Sequence, residues 1–172
     1  MTTTRPRKLL ATFAVAAAAV TAAGAAFAAG GGRSAGPDYE YAGSEPFADA
    51  SAVVQVVPMG NGMALVTLQV MGVEADAGRT FGAHVHTAPC GTDPLAAGGH
   101  YQHAGLDATL PLEDREVWLD FTINAAGQGH AEALRPWTVT STDSRSVIIH
   151  ALPTNSTSGL AGARLACIDL DS

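Results

Sequence analysis

Glu116-Val117-Trp118-Leu119-Asp120-Phe121-Thr122-Ile123 alternates along its length: Val117, Leu119, Phe121 and Ile123 fall on one face, Trp118, Asp120 and Thr122 on the other. Successive side chains of an extended chain point to opposite faces, so a period of two reads as a strand with one buried side. The same reading extends outward. Residues 51–57 and 64–70 are apolar, β-branched runs joined by Pro58-Met59-Gly60-Asn61-Gly62-Met63, which is turn chemistry. Further strands are expected over 80–86, 130–139, 145–151 and 163–170, with Asn124-Ala125-Ala126-Gly127-Gln128-Gly129 turning the chain before the fourth of these six. No segment after the N-terminal leader has sustained helical periodicity. The prediction is an all-β fold: a Greek-key antiparallel β-barrel or sandwich of about eight strands with two long loops.

The N-terminal residues read as an address. Arg5, Arg7 and Lys8 precede an apolar, Ala-rich run over 9–23, and Ala26-Phe27-Ala28 is a small-x-small cleavage signal. This predicts a secretory signal peptide over 1–28, and a secreted, periplasmic or cell-envelope location. No cysteine follows the cleavage region, so a lipid anchor on an N-terminal Cys is not expected. Residues 29–49 are rich in Gly, Ala, Ser and Pro and are expected to form a flexible linker. Residues 50–172 then form one domain with one core.

The chain has 9 Lys+Arg and 16 Asp+Glu; three of the basic residues lie in the leader, leaving six and a mature net charge of −10. The one lysine, Lys8, leaves with the leader. Such a surface does not attract nucleic acid or an anionic membrane. The two cysteines, Cys90 and Cys167, suggest a disulfide in an exported protein.

All six histidines lie between 84 and 150. In Gly82-Ala83-His84-Val85-His86 the two histidines are two apart on one strand and project together. His100 follows Gly98-Gly99, and His150 ends Val147-Ile148-Ile149. Imidazole suits copper and zinc. Four imidazoles gathered by a β framework would hold a copper that cycles between two oxidation states.

Taken in order, Gly82-Ala-His-Val-His86, Cys90, Ala97-Gly-Gly-His100, Ser146-Val-Ile-Ile-His150 and Ala161-Gly-Ala-Arg-Leu-Ala-Cys167 resemble the copper–zinc superoxide dismutase family over roughly residues 50 to 170. The resemblance implies a Greek-key barrel and superoxide as the small-molecule substrate. It implies His84, His86, His100 and His150 as copper ligands, a Cys90–Cys167 disulfide, and Arg164 as the catalytic guanidinium above the copper. The family forms dimers in different ways, so monomer and homodimer both stay open. An exported copper-binding or copper-buffering module is the alternative function.

The chain also departs from the family. Only His103 follows His100 before the next strand, and the usual zinc ligand set is not present. The carboxylates in sequence reach are Asp107, Glu113, Asp114, Glu116 and Asp120. A second metal would draw on His103, Asp107 and Asp120; the expectation is a copper site with zinc absent or weakly held. The family's aspartate after the last copper histidine is missing too, and Thr154 stands near its place.

Overall fold

The computed structural model describes residues 37–170, apart from Ala42, Ser44, Ser141 and Asp143. The expected signal peptide and residues 29–36 of the expected linker lie outside the described residues. Two antiparallel sheets form a sandwich. One has five strands in the order β1 (Tyr39–Glu40), β8 (Arg164–Asp169), β7 (Ser146–His150), β4 (Thr80–His86) and β5 (Phe121–Thr122). The other has three strands, β2 (Ser51–Met59), β3 (Met63–Met71) and β6 (Gly129–Arg135), in that order. Inward-facing Val54, Val66, Leu68 and Val70 meet Phe81, Val85, Val147, Ile149 and Ile168 in one apolar core.

The sandwich is not a closed barrel. β5 is only two residues long and pairs only with β4. The 116–123 run keeps its alternation, with Val117, Leu119, Phe121 and Ile123 all at 2% exposure or less. Its backbone, however, makes only isolated bridges, Trp118 to His84 and Glu116 to Gln102, before β5 begins. The strand expected over 130–139 stops at Arg135, because Pro136 has no N–H to continue a ladder.

The expected linker over 29–49 also needs correction. Tyr39 and Glu40 pair with Cys167 and Ala166. Tyr41 is buried, and Phe47 is fully buried with its ring edge-on to Phe81 at 5.0 Å. The open edge of β8 offers unpaired backbone groups, and these aromatic residues supply the apolar burial that holds the segment there.

Candidate metal centre

The outer face of the five-stranded sheet carries the chemistry. Gly82, His84 and His86 of β4 oppose His150, Ile148 and Ser146 of β7, and Ile148 opposes Cys167 of β8. Strict alternation from Cys167 would put Arg164, three residues back, on the core face. A register shift at Ile149/His150 inserts one extra residue in β8, so His150 pairs with Arg164. The bulge keeps Leu165 in the core and turns Arg164 onto the histidine face.

Residues 87–100 fold back over that face. The Cys90–Cys167 disulfide pins the segment, with α-carbons 5.7 Å apart. Ser146 Oγ donates to Ala88 O at 2.7 Å, Tyr41 Oη to Gly91 O at 3.2 Å, and a bridge pairs His100 with His86. His100 thereby joins the three strand histidines. One nitrogen from each of His84, His86, His100 and His150 lies within 4.8 Å of the others. The His84 and His100 ring centroids are 4.0 Å apart, and those of His86 and His150 5.7 Å.

Each ring uses one nitrogen to bind the protein and keeps the other for the centre. His86 Nδ1 meets Gly98 O at 3.1 Å, and His150 Nδ1 meets Gly162 O at 3.2 Å. A carbonyl only accepts, so both rings carry the proton on Nδ1. His100 Nδ1 meets Glu116 Oε2 at 2.9 Å. His84 is reversed, with Nε2 at 2.7 Å from Thr154 Oγ1. The buried His84 Nδ1, His86 Nε2 and His150 Nε2 have no hydrogen-bond partner. Buried polar atoms are almost always paired, so three orphan nitrogens in one place fit a ligand. Neutral imidazole donors of this kind fit copper or zinc.

Burial and neighbouring groups hold His84, His86 and His150 neutral. Burial, then the neighbouring His100, His150 and His86, lowers the His84 pKa to about 2. Burial and then the Arg164 charge lower His86 to about 3. Burial is again the main cause for His150, lowered to about 4. Neutral rings are the form a metal binds. Arg164 itself donates to Pro94 O and Gly98 O, both at 2.6 Å. Gly98 O thus receives both a ring N–H and the guanidinium.

The residues considered for a second metal do not come together. His103 stacks on Trp137 with centroids 4.8 Å apart, and Tyr101 Oη lies 3.4 Å from its Nδ1. Asp107 is exposed and accepts from Thr109 N and Oγ1. Asp120 accepts from Thr154 N and Oγ1. Among the described residues these three share no convergence of donor atoms.

Glu116 is the site residue that sequence reasoning passed over in favour of Asp120. It is 2% exposed, and it accepts from His100, from Trp118 Nε1 at 2.7 Å and from Gln102 Nε2 at 2.8 Å. Burial works to raise its pKa; the bonds from His100, Trp118 and Gln102 outweigh it and hold the carboxyl below its usual value. The usable signal was its place on the polar face of the alternating run, in step with Trp118 and Asp120.

The profile of the family described as copper/zinc superoxide dismutase (SODC) matches residues 50–168. No curated protein matches the chain. Among solved structures, a double mutant of a SOD-like protein from Bacillus subtilis is 15% identical, with a TM-score of 0.53 over 70% of this chain and 89% of that one. The clock protein EA4 is also 15% identical, with a TM-score of 0.50 over 72% of this chain and 88% of its own. At that identity the likeness is one of fold. The family match spans strands β2 to β8 as far as residue 168, the four converging histidines and the disulfide: the chain belongs to the copper/zinc superoxide dismutase family.

Proposed function

We propose that this protein is an exported copper-dependent superoxide dismutase in which His84, His86, His100 and His150 hold the copper. The observation that carries the reading is the cluster of orphan ring nitrogens of His84, His86 and His150, gathered with His100. Copper held there would supply one-electron chemistry between Cu(II) and Cu(I), able to convert two superoxides and two protons into dioxygen and hydrogen peroxide. Neutral imidazoles suit both oxidation states, because they fix no charge on the metal. Arg164 faces the same sheet surface, and its guanidinium is a permanent cation able to dock a small oxyanion. Glu116 orients His100 through Nδ1, the nitrogen a second metal would otherwise take. On this reading the protein binds one copper and needs no zinc. The disulfide suits an oxidising compartment, and a signal peptide over 1–28 would deliver the domain there.

One observation favours the alternative of a copper-buffering module. Both terminal nitrogens of Arg164 are engaged by backbone carbonyls, as in a structural arginine. The test is metal content and superoxide dismutation of the copper-replete protein, beside Arg164→Ala. We expect about one copper and well under one zinc per chain, and turnover that falls in the variant while copper stays. Copper binding without turnover in the unmodified protein would replace the enzyme with the buffer.

A further inference from the structure

We propose that Thr154 and Asp120 form a tautomer lock on His84, making Thr154 a positioning residue for the metal centre. The inference rests on the copper-site reading above. Three of the four rings are held through Nδ1 and offer Nε2. His84 is held through Nε2 and offers Nδ1. Something must enforce that reversal, since a free imidazole populates both tautomers.

A threonine hydroxyl alone cannot do so, because it both donates and accepts. Asp120 removes the ambiguity. Its Oδ2 accepts from Thr154 N at 2.7 Å and its Oδ1 lies 2.6 Å from Thr154 Oγ1. A carboxylate only accepts, so the hydroxyl proton points to Asp120. Oγ1 then presents a lone pair to His84 at 2.7 Å, and Nε2 must carry the proton. The opposite tautomer would set two lone pairs against each other. Nδ1 is left unprotonated and faces the other three rings.

The lock depends on close packing of the 152–154 segment on β4. Gly82 N donates to Leu152 O at 2.9 Å. A Cβ at Gly82 would lie 2.8 Å from Leu152 O and 2.9 Å from Thr154 Oγ1, so only glycine admits the segment there. Ala83 N reaches Asp120 Oδ1 at 3.4 Å, which ties the carboxylate to the same strand. Asp120, considered above for a second metal, has this task instead.

The test is ring-nitrogen NMR of the copper-free protein together with Cu(II) affinity by competition, for the unmodified chain, Thr154→Val and Thr154→Ser. The unmodified protein and Thr154→Ser should show His84 as a single tautomer protonated at Nε2. Thr154→Val keeps the shape and loses the hydroxyl; its His84 should populate both tautomers, and Cu(II) affinity should fall by about 10- to 100-fold, as for other groups that orient a ligand. Thr154→Ser should restore most of that loss. The proposal is overturned if the unmodified protein carries the His84 proton on Nδ1, an observation that needs no variant to fold. It is equally overturned if Thr154→Val keeps the Nε2–H tautomer and the native affinity. Neither readout uses superoxide turnover, so an inactive copper protein would defeat the enzyme reading and leave the lock standing.

Discussion

Acid should unfold the copper-free protein at a pH where most domains are still stable. His84 and His86 are fully buried and His150 is 4% exposed. Their folded pKa values fall to about 2, 3 and 4, against about 6.5 in an unfolded chain. Below pH 6.5 the unfolded chain takes up protons at these positions and the native state does not, so stability falls as pH falls. At pH 5 each of the three costs about 2 kcal/mol relative to the fully neutral state. Together they remove about 6 kcal/mol, comparable to the whole stability of a small domain. Glu116 acts in the same direction, but only as pH falls below the usual carboxylate range. The assay is the urea midpoint of the metal-free protein at pH 7.5, 6 and 5. We expect a steep loss between the last two, and a shift of that loss to lower pH when copper is bound, because ligation favours neutral rings. A midpoint that stays level from pH 7.5 to 5 would refute the reasoning and mean that water reaches these rings.

Three further outcomes follow from the same geometry. Replacing Cys90 and Cys167 by Ser opens a loop of sequence separation 77 and should lower stability by about 4.5 kcal/mol on the chain-entropy estimate, read from urea unfolding of oxidised protein against variant. Gly82→Ala places a methyl 2.7 Å from Ala161 Cβ and 2.8 Å from Leu152 O, so it should cost about 1–3 kcal/mol in thermal unfolding and weaken Cu(II) binding. Glu116→Gln keeps the shape but turns an amide NH2 toward one of three donors; a loss of about 2 kcal/mol is expected by calorimetry, and an unchanged melting curve would show that the carboxylate is not needed to satisfy His100, Trp118 and Gln102.

Much of the fold was open to a reader of the sequence because it follows from local periodicity. The alternation at 116–123 marks its buried face correctly, and the spacing of His84 and His86 puts both rings on one side of β4. The limits of the strands were less readable: Pro58 and Met59, expected in the turn, lie within β2, and β6 ends at Arg135, before Pro136, where the expected strand ran to 139. Other features depend on pairing between distant segments, which local patterns do not encode. Tyr39–Glu40 becomes a strand only because β8 leaves an edge free. Arg164 reaches the histidine face only through a bulge that its own segment does not announce. Glu116 and Asp120 are both carboxylates on one polar face. What separates their roles is where His100 and Thr154 arrive from 16 and 34 residues away in sequence.

The centre is therefore less a property of β4 than of the two segments laid over it. Consider the carbonyl of Gly98. It accepts His86 Nδ1–H, which leaves Nε2 without a hydrogen-bond partner, and it accepts a guanidinium N–H of Arg164. One backbone atom thus fixes the tautomer of a ligand and the position of the nearby cation. The carbonyl can stand there only because residue 98 is glycine: its φ is +73°, and a Cβ would lie 2.6 Å from Thr87 Oγ1. The segment in turn stays on the sheet because Cys90 is bonded to Cys167, opposite Ile148 on the same face. On the far side Thr154 and Asp120 do for His84 what Gly98 does for His86. His84, His86 and His150 sit on strands β4 and β7, whereas His100 ends the covering segment 87–100. The orientation of these three strand rings, and so which nitrogen each presents, comes from Gly98, Gly162 and Thr154 in the covering segments, while Glu116 orients His100. Losing the disulfide should therefore harm metal binding more than it harms the sheets, because the core of the sandwich lies on the opposite face from everything that Cys90 holds in place.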